Sequence, residues 1–193
     1  MLMTQRKKNI GFSLIEVLIT IVILMVGLLG LAGLQGRALT SQLESYQRSQ
    51  ALILLKDMEN RINANRKRAA EYVTTTALGA GADCSVAMNP ASAVSGADRN
   101  EWCNALMGAA EVQSGVSSAG AMIGARGCVY QIAAPAVGFP STYLAVVAWQ
   151  GLNNTKTPDV TTATSAGQCG VGQYGNESLH RVVTLPISIA DLN

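Results

Sequence analysis

Gly11-Phe12-Ser13-Leu14-Ile15-Glu16-Val17-Leu18-Ile19-Thr20-Ile21-Val22-Ile23-Leu24 follows the basic cluster Arg6-Lys7-Lys8 and leads into an apolar run that continues to Leu34. A helix over 12–34 reaches roughly 34 Å at about 1.5 Å per residue, enough to cross a hydrocarbon core of about 30 Å. Basic residues ahead of a span stay on the cytoplasmic side, so everything after residue 34 is expected on the far side of the membrane. A cleaved secretory signal is the competing reading, and Gly30-Leu31-Ala32 offers a small-x-small step. The run is longer than an ordinary apolar signal region and contains an acid, which counts against that reading.

Glu16 is the anomaly. A carboxylate at mid-membrane costs about 2.5–3.5 kcal/mol on insertion scales. Two compensations are available. Ser13-Leu14-Ile15-Glu16 fits a capping box, with Ser13 as N-cap and Glu16 reaching back to its amide. Alternatively, proteolysis at the Gly11-Phe12 boundary places a new ammonium one helical turn before Glu16 and creates an ion pair.

The hexapeptide Gly11-Phe12-Ser13-Leu14-Ile15-Glu16 resembles the class III signal of type IV pilins and related pseudopilins. The resemblance implies a pilin-like fold of the α+β class, in which a long N-terminal helix packs on a small antiparallel β-sheet head. It implies that a prepilin peptidase cuts after Gly11 and N-methylates Phe12. It also implies that Glu16 pairs with the terminal amine of a neighbouring subunit during assembly. Within the family, Val26 to Gln35, Asp57 to Arg66 and Ala97 to Trp102 are most similar to the PilV group of minor pilins, the type IV pilus modification proteins. A Leu-Pro-Gly-Gly step often follows the tryptophan there, whereas this chain reads Leu106-Met107-Gly108-Ala109. The function implied is that of a structural subunit priming pilus assembly in a tip complex, in adhesion and twitching motility. Its implied partners are the inner membrane, other minor pilins, the major pilin and a large tip adhesin. The subunit would sit in the inner membrane with a periplasmic head, then in the extracellular pilus. A minor pseudopilin of a type II secretion system and a membrane-anchored extracytoplasmic binding protein are the other two readings.

Beyond the span, Leu39, Leu43, Tyr46, Leu54, Met58 and Ile62 recur at helical spacing among polar residues, so the same helix is expected to continue as an amphipathic rod. No proline interrupts 12–72. Gly27, Gly30, Gly33 and Gly36 fall three apart on one side, each weakening the helix by about 1 kcal/mol relative to alanine. They suit close helix packing or local melting in a filament. Arg61, Arg66, Lys67 and Arg68 are expected at a solvated helix C-terminus, where cations oppose the macrodipole. The expected organisation is a leader over 1–11, a helix over 12–72 with its span at 12–34, and a single head over 73–193.

Cys84, Cys103, Cys128 and Cys169 all lie beyond the span, in a compartment that should be oxidising, so two disulfides are expected in the head. Three pairings are possible. Cys84 with Cys103 and Cys128 with Cys169 is preferred, since the first two share a loop region and the second two flank the expected sheet. A zinc site is a poor alternative without a C-x-x-C pair, and no metal or other cofactor is expected.

In the head, 74–125 is dense in Ala, Gly and Ser and reads as a surface-hugging loop. One short helix interrupts it, started by a capping box at Ser95 to Asp98 and anchored by Trp102 and Leu106 on one face. Strands are expected over Cys128 to Ala133, Tyr143 to Trp149 and Arg181 to Ile189, the last an edge strand because Pro186 cannot donate to a ladder. The long loop from Gly151 to Leu179 would need a disulfide to hold it.

Several classes of function are disfavoured. Gly170-Val171-Gly172-Gln173-Tyr174-Gly175 matches G-x-G-x-x-G, but it leads into a strand instead of opening a helix, so dinucleotide binding is rejected. His180, an ordinary surface or strand-end histidine on this reading, has no placed nucleophile beside it, and no enzyme is expected. Aromatic residues at 5 % and a net charge of +2 give no platform for nucleic acid.

Overall fold

The computed structural model describes residues 11–85, 93–108, 112–113, 117–118, 122–134 and 139–190. The leader expected over 1–11 therefore falls outside the described residues except for Gly11. The chain divides into two units, one ending at Gln42 and the other running from Leu43 to Asn193.

Helix α1 covers Leu14–Ala64. Ser13 precedes it, its carbonyl accepting from the Glu16 and Val17 amides at 3.0 and 3.3 Å. The helix stops eight residues before the expected end. Asn65 leaves helical geometry (φ −120°, ψ 40°) and a 3-10 segment, Arg66–Tyr72, follows. Asparagine competes with the helical backbone for hydrogen bonds, and the change of direction buries Ala69 and Tyr72.

In the first unit the large apolar side chains of 12–34 are exposed, Phe12 to 84 % and Leu29 to 73 %. This helix is long and apolar enough to cross a membrane. The space beside Gly27, Gly30, Gly33 and Gly36 is open to 4 Å.

In the second unit, the part of α1 from Leu43 onward buries Gln47, Ala51, Leu55, Met58 and Ile62. This stripe is rotated from the expected one. Met58 and Ile62 belong to it and Leu54 packs at its edge, but Leu43 and Tyr46 remain exposed. A search for apolar periodicity passes over the small Ala51 and the polar Gln47, both of which are buried.

Six strands follow among the described residues: β1 (Leu78–Gly79), β2 (Val112–Gln113), β3 (Ser117–Ser118), β4 (Arg126–Ala133), β5 (Ser141–Gln150) and β6 (His180–Ile189). Strands β1-β4-β5-β6 form an antiparallel sheet in that order, and β2 and β3 pair separately. The expected strands over 128–133, 143–149 and 181–189 lie within β4, β5 and β6. Strand β6 is the edge, with Pro186 opposite Leu144. Its alternating side chains Val183, Leu185, Ile187 and Ile189 all pack on the main core.

Strand β5 is buried on both faces. Tyr143, Ala145, Val147 and Trp149 join the core made with α1, while Val146 and Ala148 join a second cluster with Cys128, Cys169 and Tyr174. The loop after β5 thus forms a lid over the far face of the sheet, tied down by the Cys128–Cys169 disulfide. Gly170, Gly172 and Gly175, the glycines of the rejected nucleotide motif, have φ of +82°, +72° and +70°. They turn this loop around Tyr174.

Helix α2 covers Ala93–Leu106, so Ser95 lies inside it and is no N-cap. Its hydroxyl donates to Glu71 Oε2 at 2.5 Å, and Asp98 is used elsewhere. The expected capping box is therefore absent. Trp102 is the anchor expected, fully buried, with Nε1 donating to the Leu54 carbonyl at 2.9 Å. Gly127 in β4 makes room for it, since a Cβ there would lie 2.2 Å from the indole ring. At the end of α2, Gly108 takes φ +79° and donates to the Ala105 carbonyl. A positive φ just past a helix end is the ordinary use of glycine.

Candidate functional site

The residues singled out for processing and assembly lie together. Gly11, Phe12 and Ser13 are exposed and precede the first helical turn. Glu16 follows in that turn. Its carboxylate is exposed in the isolated chain and has no hydrogen-bond or ion-pair partner among the described residues. The side-chain half of the expected Ser13/Glu16 capping box is thus not formed, although the Ser13 carbonyl does receive the first helical amides. An unpaired carboxylate on a helix face of exposed Leu, Ile and Val can be stabilised only from outside this helix surface or by a new charge near Phe12. Burying a bare carboxylate without a partner is unfavourable by several kcal/mol.

Within the second unit, the end of α1 is fixed to the rest of the head by contacts that sequence spacing does not reveal. Arg61 in the last turn of α1 donates to Asp57 Oδ2 at 2.9 Å, Asp98 Oδ1 at 3.0 Å and Glu101 Oε2 at 2.7 Å. Burial disfavours its charge, but the hydrogen bonds to Glu101 and Asp57 hold the guanidinium more firmly protonated than usual. Arg61 is thus a clamp between α1 and α2, not part of a solvated helix end. Arg66, Lys67 and Arg68 are exposed as expected. Tyr72 completes the clamp, its hydroxyl bonding Asp98 Oδ2. Burial, followed by that bond, pushes the phenol up to about 12.

Farther up α1, Glu44 Oε1 accepts from the Leu152 and Asn153 amides at 3.1 and 3.0 Å and lies 3.4 Å from the Arg181 guanidinium. Burial pushes the Glu44 carboxyl upward, yet those amides and Arg181 leave it below the usual carboxylate range. Glu44 therefore pins the start of the lid loop to α1. Apart from Asp57, four residues before Arg61, the side-chain partners named in the two clamps are 26 to 137 residues apart, too far for spacing to reveal them.

The disulfides are Cys84–Cys103 and Cys128–Cys169, with Cα separations of 5.5 and 5.8 Å. Cys103 stands in α2 and its sulfur accepts from the Gly79 amide at 3.2 Å, linking α2 to β1. His180 is at a strand start, as expected, but it is not a surface residue. It is 1 % exposed, with Nδ1 2.8 Å from Glu177 Oε2 and Nε2 3.0 Å from the Cys169 carbonyl. The lid closes over it, and its ring lies 4.8 Å from that of Tyr174. This contact is structural, a latch between the disulfide loop and β6. No group of three or more His, Cys, Asp or Glu that could hold a metal occurs among the described residues.

Two family matches cover this architecture in succession. Residues 6–32 match the prokaryotic N-terminal methylation motif, and residues 33–105 match the family described as type IV pilin Tt1218. No curated protein and no solved structure matches the chain. From the basic cluster to the end of α2, the chain is therefore similar to a type IV pilin carrying its methylation motif.

Proposed function

We propose that this chain is a minor pilin, a non-enzymatic subunit that is cut after Gly11, N-methylated on Phe12 and docked into a type IV pilus through Glu16. The methylation-motif match over 6–32 carries the reading, because its described part, 11–32, is exposed and includes Glu16, whose carboxylate has no partner among the described residues. A prepilin peptidase supplies the cut, and the inner membrane holds the apolar helix until assembly. In the filament, neighbouring helices replace lipid around 12–34, and the Glu16 carboxylate meets the amine of an adjacent Phe12. The similarity of 26–35, 57–66 and 97–102 to the PilV group favours a place among the minor pilins, in a priming complex at the tip with a large adhesin and the major pilin.

Substitution of Glu16 by leucine tests the docking step. Removing the carboxylate should ease membrane insertion by about 2.5–3.5 kcal/mol, so the membrane-bound pool is kept or raised. Incorporation into sheared surface filaments should nevertheless fall at least tenfold, since an amine left without its carboxylate loses more than about 1.4 kcal/mol. Wild-type incorporation of this variant would reject the docking role and leave α1 a plain anchor. A deletion strain that keeps its pili and twitching but loses exoprotein secretion would move the subunit to a type II secretion pseudopilus.

A further inference from the structure

A solvent-open cavity of about 590 Å³ lies in the head, between the segment around β1 and the lid loop. Its walls include Thr75, Thr76, Asp83, Arg99, Arg126 and Gln168. Two of these are cations without a carboxylate partner among the described residues. Arg99, from α2, is 8 % exposed. One of its terminal nitrogens donates to the Glu71 carbonyl at 3.3 Å, and its Nε is buried with no hydrogen-bond partner. Arg126, from β4, donates to the Gly124 carbonyl at 3.1 Å and to Gln173 Oε1 at 3.2 Å, and its guanidinium lies over the Tyr174 ring at 5.4 Å. The acid on the wall, Asp83, is exposed, and its Oδ1 already accepts from the Ser85 amide and hydroxyl at 2.9 and 2.6 Å.

A buried guanidinium is ordinarily paired, because an uncompensated interior charge is strongly unfavourable. Carbonyl oxygens satisfy part of its hydrogen bonding but supply no negative charge. Arg99 contrasts with Arg61 on the neighbouring helix, which gathers three carboxylates. Burial alone pulls the Arg99 guanidinium below its usual range. The missing counter-charge can come from the cavity, which is open and within the size of ordinary ligand sites.

We propose that this cavity binds a carboxylate-bearing ligand, with the carboxylate held between Arg99 and Arg126 and its polar remainder against Thr75, Thr76 and Gln168. Planar guanidinium groups match carboxylate geometry and bind it through charge-assisted hydrogen bonds. The carboxylate can belong to a free organic acid or to an acidic side chain of a polypeptide. The site lies in the head and does not depend on the N-terminal docking role.

The test is a titration of the ¹⁵N-labelled full chain in detergent micelles, read at the Arg99 Nε–H and at the amides of Thr75 to Ala82. The probes are acetate and the N-acetylated, C-amidated peptide Gly-Asp-Gly, with acetamide and N-acetylated, C-amidated Gly-Asn-Gly as neutral controls. Acetate should shift these signals saturably, with Kd on the order of 1–10 mM, and the neutral probes should not. Tighter binding of Gly-Asp-Gly than of acetate assigns the carboxylate to a polypeptide, whereas equal binding assigns it to a free acid. Arg126→Gln, at a partly exposed strand position, should weaken binding at least tenfold with the spectrum otherwise preserved. Arg99→Gln should do the same where it folds. Absence of saturable shifts with acetate and Gly-Asp-Gly, or wild-type binding by Arg126→Gln, would overturn the proposal.

Discussion

Removing the Cys128–Cys169 bridge should cost more than removing Cys84–Cys103, and in a different place. The two bridges close loops of 41 and 19 residues. The entropy they withhold from the unfolded chain amounts to about 3.9 and about 3.2 kcal/mol at 25 °C on the chain-entropy account. The longer bridge also seats the lid on a buried face, since Cys128 and Cys169 are 3 % and 0 % exposed and pack with Val146 and Ala148. Paired serine substitutions should therefore destabilise the head by about 3–5 kcal/mol at 128/169 and about 2–4 kcal/mol at 84/103. Urea denaturation of the full chain in detergent gives the values through Trp102 and Trp149, 0 % and 3 % exposed, whose emission reports opening of the core. Limited trypsinolysis locates the damage. Cleavage after Lys156, the one basic residue in 151–179, should accelerate in the 128/169 variant and not in the 84/103 variant. A loss below about 1 kcal/mol at 128/169, or equal cleavage in both variants, would refute the assignment of the lid to that bridge.

Two further outcomes follow from the core. Gly127→Ala should destabilise the head by about 1–3 kcal/mol through overpacking, because its Cβ would meet the Trp102 ring at 2.2 Å; the same urea titration checks it. Tyr72, held near 12 against 10.0 for a free phenol, keeps its proton in the folded head after an unfolded chain has lost it. Its contribution is present below about pH 10 and is lost as pH rises through about 12, so stability should fall across that interval. Absorbance at 295 nm should show a late phenolate component that Tyr72→Phe removes.

The parts of the fold readable from sequence are those set by a single local pattern. The apolar run after Lys8, the alternation of Val183, Leu185, Ile187 and Ile189, and the helical pair Trp102 and Leu106 each carry their own period. What escaped depends on distant partners. The end of α1 at Ala64 follows from burial of Ala69 and Tyr72 as well as from Asn65. The buried stripe of α1 is set by Ala51 and Gln47, residues that no apolar count selects. Ser95 has the spacing of a cap, but Glu71, 24 residues away, takes its hydroxyl. His180 reads as a surface residue because the lid that covers it is formed by a loop without periodicity. At the N-terminus the reverse holds: Gly11, Phe12 and Glu16 lie within one hexapeptide, so the chemistry proposed for them needs no distant partner from the same chain.

A cut between Gly11 and Phe12 is what would give Glu16 a charged neighbour, and the proposed docking depends on it. Mass spectrometry of the chain recovered from filaments tests this directly. The predicted N-terminal peptide begins at Phe12 and carries an N-methyl group on its amine. A mature chain that retains Arg6-Lys7-Lys8, or that begins at any residue other than Phe12, would contradict it.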